Sequence, residues 1–376
     1  MSRPLTALVW EQFAAYHVDR CEAVARRLAG QSDVLAVELA GSSETYAWGP
    51  SGSVSGARKI TLFPGEVVER IGIWRRLFRL LITLRNCDTV FCGIPYSAPD
   101  VILLSWLLPL LGIKVVAMSD SKFDDFPRSA RFELFKGALL RPYSAVLVSG
   151  ARTRSYLRFL GFAHRPIELG YDTVGVSRLR RDAELTTKAG NIDHADRPFV
   201  FVGRFVAKKN ISSLISGYAA YAKAEENPHR LVLAGDGPLG PDLSRQVRDA
   251  GISHLVDFPG FLSSGDVARL MSRSLALVLL SSSEQWGLVI NEAVALGLPV
   301  ISSYAPGACD SLVTNLINGF VVEAQDHAAV ANAMCELARS ESLWRSMAEA
   351  SLARAGLADV ERFADACVAL SGPASV

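Results

Sequence analysis

Residues 275–303, LALVLLSSSEQWGLVINEAVALGLPVISS, constrain the fold more than any other stretch of the chain. The apolar run 275–280 shows no polar alternation, so it reads as a strand buried on both faces, as in a parallel sheet. Three serines follow, then Glu284 and Gly287, then a helix carrying Leu288, Val289, Glu292 and Ala293 that closes at Gly297. Residues 298–301 make a second buried strand. This strand–loop–helix–strand unit sets a helix N-terminus at the end of a strand. Free N–H groups and a partial positive charge there suit a phosphate. Glu284 and Glu292, eight positions apart, bracket that terminus. A ligand with phosphate in the middle and hydroxyls at both ends fits, and a nucleotide-sugar has that shape.

A chain of 376 residues is comfortable as two domains. Half of it is apolar and a fifth charged, enough for sizeable cores, and the net charge of +1 excludes nucleic acid as a partner class. The six cysteines are scattered without a Cys-x-x-Cys pair, so free buried thiols in a reducing, cytoplasmic compartment are expected. The six histidines have no ligand spacing, and no metal site is expected. The first residues, MSRPLTALVWEQF, do not read as a signal peptide, because the apolar run is short and ends in Glu11. The hydrophobic stretch 101–118 is interrupted by Pro109, Gly112 and Lys114; it reads as a helix turning into a buried strand rather than a membrane span.

Strands are expected at 5–10, 33–39, 59–63, 89–92, 113–118 and 145–149, with helices between them. Such alternation gives a parallel sheet covered on both faces. Open sheets of this kind bind ligands beyond the C-terminal ends of their strands. That location singles out His17, after the first strand, and Asp120 and Lys122, in the charged segment SDSKFDDFPR at 119–128. A satisfied histidine at a helix entry, or a solvated charged loop, explains these residues as well. The helix at 70–85 puts Ile71, Trp74, Leu77, Phe78 and Leu81 on one face and Arg75, Arg76 and Arg79 opposite. It reads first as a helix covering the sheet, and second as a basic amphipathic helix on an anionic membrane.

Residues 178–198 are polar and aperiodic and read as a linker. The domains expected are 1–177, joined by the C-terminal helix 359–376, and 199–358. In the second half the pattern restarts. A strand at 199–203 leads into the basic loop RFVAKKN (204–210), and the next strand, 230–234, closes in Gly235-Asp236-Gly237-Pro238. Arg204 and Lys209, five apart after a first strand, can clamp a diphosphate and stabilise it as a leaving group.

Together GRFVAKKN (203–210), LVLAGDGP (231–238), VDFPGFLSSGDVARLM (256–271), SSSEQWGLVINEAVALGLPVISS (281–303), PGACDSLV (306–313) and NGFVV (318–322) resemble the family-4, or group 1, retaining glycosyltransferases of the GT-B fold. The likeness covers about residues 198–340. It implies an α/β architecture of two facing Rossmann-like domains with the active site between them, and a final helix that crosses back to the first domain. By position, it implies that Arg204 and Lys209 contact the donor diphosphate and that Glu284 binds the donor sugar. Gly287 and Leu288 would offer backbone N–H groups to the phosphate, Glu292 would hold the ribose, and Gly235, Phe261 and Leu262 would border the base. No metal or cofactor is implied, the nucleotide-sugar being a substrate. Two residues depart from the family pattern: Asn210 stands where glycine is frequent and Trp286 where phenylalanine is. A histidine frequent after a middle strand of the first domain is absent, with Asp120 or Lys122 in its place.

The expected activity is transfer of a sugar, with retention, from a UDP- or GDP-sugar to a hydroxyl of a saccharide acceptor in polysaccharide or glycolipid synthesis. The aromatic, basic helix points to a lipid-linked acceptor and a peripheral place on the cytoplasmic membrane face. The alternatives are a nucleotide-sugar epimerase on the same fold and a non-catalytic sugar-nucleotide-binding scaffold.

Overall fold

A computed structural model of the chain describes residues 3–45, 48–49, 51–184 and 192–371. The chain forms two compact units, 1–173 with 360–376, and 174–359. Each is built on one parallel sheet.

The first unit has strands β1 (Leu5–Trp10), β2 (Asp33–Glu38), β3 (Arg58–Thr61), β4 (Thr89–Cys92), β5 (Lys114–Ser119), β6 (Ala145–Val148) and β7 (Ile167–Leu169). Their order in the sheet is β3-β2-β1-β4-β5-β6-β7. Successive residues of β1 serve different cores: Ala7 and Val9 face one apolar cluster, Leu8 and Trp10 the other. This period of two, with Ala7 to Trp10 all apolar, is what a sheet covered on both faces demands. Helices Ile73–Leu84 and Pro99–Leu110 cover the first side. Helix Ala15–Arg27 and the C-terminal helix Val360–Ser371 cover the second, where Phe363, Ala364 and Cys367 pack with Trp10, Cys21 and Val24. Arg27 pairs with Asp365 at 2.8 Å and Arg26 with Glu361 at 2.8 Å along the edge of that contact.

The second unit has β8 (Phe199–Val202), β9 (Leu231–Ala234), β10 (Val256–Gly260), β11 (Ala276–Leu279), β12 (Val300–Ser303) and β13 (Gly319–Val322), in the order β10-β9-β8-β11-β12-β13. All four residues of β11 are fully buried, as an apolar run without alternation requires. Pro259 sits on the edge strand β10, where its missing N–H costs no ladder bond. The chain winds outward from β8 to β10, then returns to the other side of β8 with β11. The reversal point between β8 and β11 is where such sheets leave a crevice beyond their strand ends.

Two expectations change. Residues 178–184 are not linker: they belong to helix Val176–Glu184, which Arg180 fastens to the Ala295 carbonyl at 3.0 Å. Its buried stripe is only Val176, Leu179 and Ala183, too short to stand out from the charged residues around it. The rest of that segment, 185–191, lies outside the described residues. The second change concerns helix Ile73–Leu84. Its buried side is Leu77, Leu80 and Leu84, while Trp74 and Phe78 are 74% and 63% exposed beside Arg75 and Arg79. Arg76 turns inward instead and pairs with the buried Asp100 at 2.8 Å.

Candidate active site

The loops after β8 and β11 are neighbours because their strands are. After β8 the chain makes a short 3-10 turn, Ala207–Lys209, and ends it at Asn210 in the left-handed region, φ 52°. Few side chains accept that conformation, and asparagine is one that does. Its amide then donates to the Leu280 carbonyl at 3.1 Å and the Ala324 carbonyl at 2.9 Å, at the ends of β11 and β13. Asparagine in place of glycine therefore keeps the turn and adds a staple. The Lys208 carbonyl accepts from Ser282 N–H at 2.8 Å, which binds the two loops together directly.

This stitching delivers Lys208 and Lys209 to Glu284. Lys209 Nζ donates to Glu284 Oε2, Lys208 Nζ lies 3.5 Å from Oε1, and the Ser281 hydroxyl is 3.3 Å from Oε2. Glu284 is 8% exposed. Burial alone would push its carboxyl up, but Lys209 and Lys208 outweigh that and hold it below the ordinary range. The result is a buried carboxylate that stays ionised, with two ammonium groups at its side. Arg204 is exposed at the start of the same loop.

Gly287 then opens helix Leu288–Ala295 at φ 95°, a value that favours glycine. The first-turn N–H groups have no carbonyl one turn behind them within the helix. Trp286, buried just before the turn, donates from its indole to the Asn291 side chain at 2.8 Å and so clips the loop to the helix it precedes. Glu292 lies one turn in. The residue is half-buried, and burial raises its carboxyl to about 7 against the opposing pull of Arg178. Arg178 comes from helix Val176–Glu184, where it also meets Asp182 at 3.0 Å and Ser264 at 3.2 Å.

The loop after β9 crosses close to the loop after β8. A Cβ on Gly235 would stand 1.9 Å from the Gly203 carbonyl oxygen, so only glycine fits. Gly235 N–H donates to the Gly260 carbonyl at 2.9 Å, which sets it beside the start of the next loop, where Phe261 is 67% exposed and Leu262 half-buried. Arg204, Lys209, Gly235, Phe261, Leu262, Glu284, Gly287, Leu288 and Glu292 thus all lie at the C-terminal ends of strands or just beyond them, in one unit.

The residues singled out in the first unit do not converge in this way. His17 lies in the first turn of the helix after β1 and is 5% exposed. Its Nδ1 accepts from the Ala14 N–H at 2.9 Å, and its ring packs among Trp10, Phe13, Tyr16 and Trp48. Burial and then Arg20 hold it well below its usual pKa, so it is neutral and serves as a cap. Asp120 and Lys122 follow β5, two strands away from β1. Lys122 is 1% exposed and ion-paired with Asp124 at 3.0 Å and Asp125 at 3.2 Å. It holds its loop in shape.

Two participants were missed from sequence. Lys208 reads as a solvated neighbour of Lys209 until the loops are seen together. Arg178 falls in the segment read as linker. A run of three cations within RFVAKKN was the available signal for the first, and nothing in the sequence marked the second.

The family model described as "Glycosyl transferases group 1" matches residues 182–354, nearly the whole of the second unit. Over that span the chain is similar to the group 1 glycosyltransferases. N-acetyl-alpha-D-glucosaminyl L-malate synthase of Bacillus anthracis is 28% identical over 170 residues, 45% of this chain and 43% of that protein. Alpha-D-kanosaminyltransferase of Streptomyces kanamyceticus is 31% identical, also over 170 residues, 45% of this chain and 43% of that protein. The matched stretch spans less than half the length of either relative. Likeness of fold goes further. The crystal structure of Anabaena Alr3699/HepE in complex with UDP aligns with a TM-score of 0.72 at 16% identity, covering 97% of this chain and 98% of that one. Both units therefore have the GT-B α/β fold.

Proposed function

We propose that the chain is a retaining glycosyltransferase that moves a sugar from a UDP- or GDP-sugar to a hydroxyl of a lipid-linked saccharide in polysaccharide or glycolipid synthesis, without a metal. The observation that carries this reading is the ionised Glu284 held by Lys208 and Lys209 beside the Gly287 helix start. The group 1 match supports sugar transfer, and the UDP bound by the Anabaena neighbour supports a uridine donor.

In the proposed reaction the donor diphosphate lies against Arg204, Lys209 and the N–H groups of Gly287 and Leu288. The C1–oxygen bond of the donor breaks and its electron pair leaves on the β-phosphate oxygen. The acceptor oxygen bonds to C1 on the same face, and its proton passes to that departing phosphate oxygen. Charge builds on the leaving group in the transition state, so fixed cations and N–H dipoles there lower the barrier. Glu284 receives the donor sugar's hydroxyls, and Lys209 shifts from the carboxylate to the incoming phosphate. Glu292 accepts from the ribose. Gly235, Phe261 and Leu262 border the base. His17, Asp120 and Lys122 are the acceptor-side residues proposed; in the chain as folded His17 caps its helix and Lys122 is paired with Asp124 and Asp125.

The test has two stages. Thermal-shift titration against UDP-, GDP- and ADP-sugars identifies the donor, because a ligand that binds only the folded state raises its melting temperature. Glu284→Gln should then keep the fold but lose about 10²–10³-fold in kcat/KM. Stabilisation by no nucleotide-sugar, or a folded Glu284→Gln chain with wild-type turnover, would sink the assignment. EDTA should leave turnover unchanged, and NMR of the product should show the donor's anomeric configuration.

A further inference from the structure

Glu284 is held by two consecutive lysines, one on each carboxylate oxygen. Lys209 Nζ donates to Oε2, and Lys208 Nζ lies 3.5 Å from Oε1. Both come from the 3-10 turn Ala207–Lys209. The two are not equivalent. Lys209 is 14% exposed and shares Oε2 with the Ser281 hydroxyl at 3.3 Å. Lys208 is 49% exposed, but its main chain is fixed to the loop that carries Glu284. Its carbonyl accepts from the Ser282 N–H at 2.8 Å and from the Ser282 hydroxyl at 3.3 Å.

The difference matters once a donor binds. The proposed reaction draws Lys209 from the carboxylate to the diphosphate. Glu284 is buried, and the charged groups acting on it are Lys209 and Lys208. The Ser281 hydroxyl and the hydroxyls of a sugar bring it no charge. A buried carboxylate that lost its last cation would either remain charged at high cost or take up a proton. The charges of the site show which lysine is available. A nucleotide-sugar diphosphate carries two negative charges, matched by Arg204 and Lys209. Lys208 is then left to match Glu284, and its tethered backbone keeps it within reach.

We propose that Lys208 is a positioning residue, which stays on Glu284 when the donor draws Lys209 away and so keeps the carboxylate charged and aimed at the sugar. The proposal rests on the reading of this site as one for a nucleotide-sugar. It divides the lysines within that site: Lys209 serves the phosphates and Lys208 the carboxylate.

The test is calorimetry of the full chain with whichever of UDP-glucose, GDP-mannose and ADP-glucose gives the largest thermal shift. Titration in two buffers of different ionisation enthalpy counts the protons exchanged on binding. Without ligand, Lys208→Gln should melt like wild type, because Lys209 still holds Glu284. On binding it should take up more protons than wild type, by up to about one, as Glu284 protonates when Lys209 leaves. Its affinity should fall by about fivefold or more at pH 8 and by less at pH 6, where the proton is easier to acquire. Glu292 also exchanges protons near pH 7, but it is common to all the proteins, so only the difference from wild type is read. Lys208→Arg should restore the wild-type proton count and most of the affinity. In a Glu284→Gln background, Lys208→Gln should add no uptake, which assigns the proton to Glu284. A Lys208→Gln chain with wild-type proton count and affinity would overturn the proposal and leave the transferase reading standing. Extra uptake that persists without Glu284, or Lys208→Arg behaving like Lys208→Gln, would do the same. A wild type that binds none of the three nucleotide-sugars overturns the transferase reading, and the role of Lys208 falls with it.

Discussion

Glu292 shows how one side chain couples folding to pH. Its carboxyl titrates near 4.5 when free and at about 7 in the folded chain, because burial penalises the charge. Between those values the folded state holds a proton that the unfolded state has released. The group's contribution to stability is therefore greatest below about 4.5 and falls as pH rises toward 7. Denaturant melts of Glu292→Gln across that window should lose this slope. If the carboxylate accepts ribose hydroxyls, wild-type affinity for a UDP-sugar should rise from pH 6 to pH 8, while Glu292→Gln should show no such rise by calorimetry. Asn210 is the second residue-scale case. Asn210→Ala keeps the positive φ without the amide, so it should cost about 2 kcal/mol in denaturant melts. Asn210→Gly relieves the φ penalty and should cost less. Equal losses would show that the staple to Leu280 and Ala324, rather than the conformation, sets the stability of the loop.

At the scale of elements, strands were the easiest to read. Residues 90–92 and 199–202 stand out because parallel strands buried on both faces are apolar, and β4 and β8 hold those runs. The face of helix Ile73–Leu84 was misjudged for a physical reason: it carries two apolar stripes. Leu77, Leu80 and Leu84 form one, and Trp74, Phe78 and Ile82 the other. Periodicity identifies stripes but does not say which one meets the sheet. The inward turn of Arg76 onto Asp100 keeps it out of a charge-reversal test of this helix, since Arg76→Glu would set a carboxylate against a buried carboxylate. Arg75→Glu/Arg79→Glu and Trp74→Ser/Phe78→Ser avoid that problem. In flotation with vesicles containing anionic lipid, each pair should reduce binding several-fold relative to wild type, and added salt should weaken the wild type. Binding unchanged by either pair would dismiss the helix as a membrane contact.

At the scale of the molecule, the C-terminal helix Val360–Ser371 belongs to the unit that begins the chain. Phe363 is fully buried against helix Ala15–Arg27 and the β1 core. Phe363→Ala should therefore destabilise the first unit by about 3–5 kcal/mol. Hydrogen exchange should show faster opening of β1 and helix Ala15–Arg27, with residues 199–322 unaffected. Protection lost equally in both units would mean that they unfold as one.

The candidate site of the second unit was legible because it is built locally. Cations after β8, carboxylates around Gly287 and glycines where loops cross are each fixed by one strand–loop–helix passage, and a sequence displays such passages whole. Sequence alone thus determined the alternation of strands and helices, the parallel sheets and the helix that starts at Gly287. The tertiary structure alone decided that Lys208 joins Lys209 on Glu284, that Arg178 reaches the surroundings of Glu292, and that His17 and Lys122 are spent on their own loops. These depend on which strands lie side by side and which helix stripe turns inward, and those choices are made by packing between segments far apart in the chain.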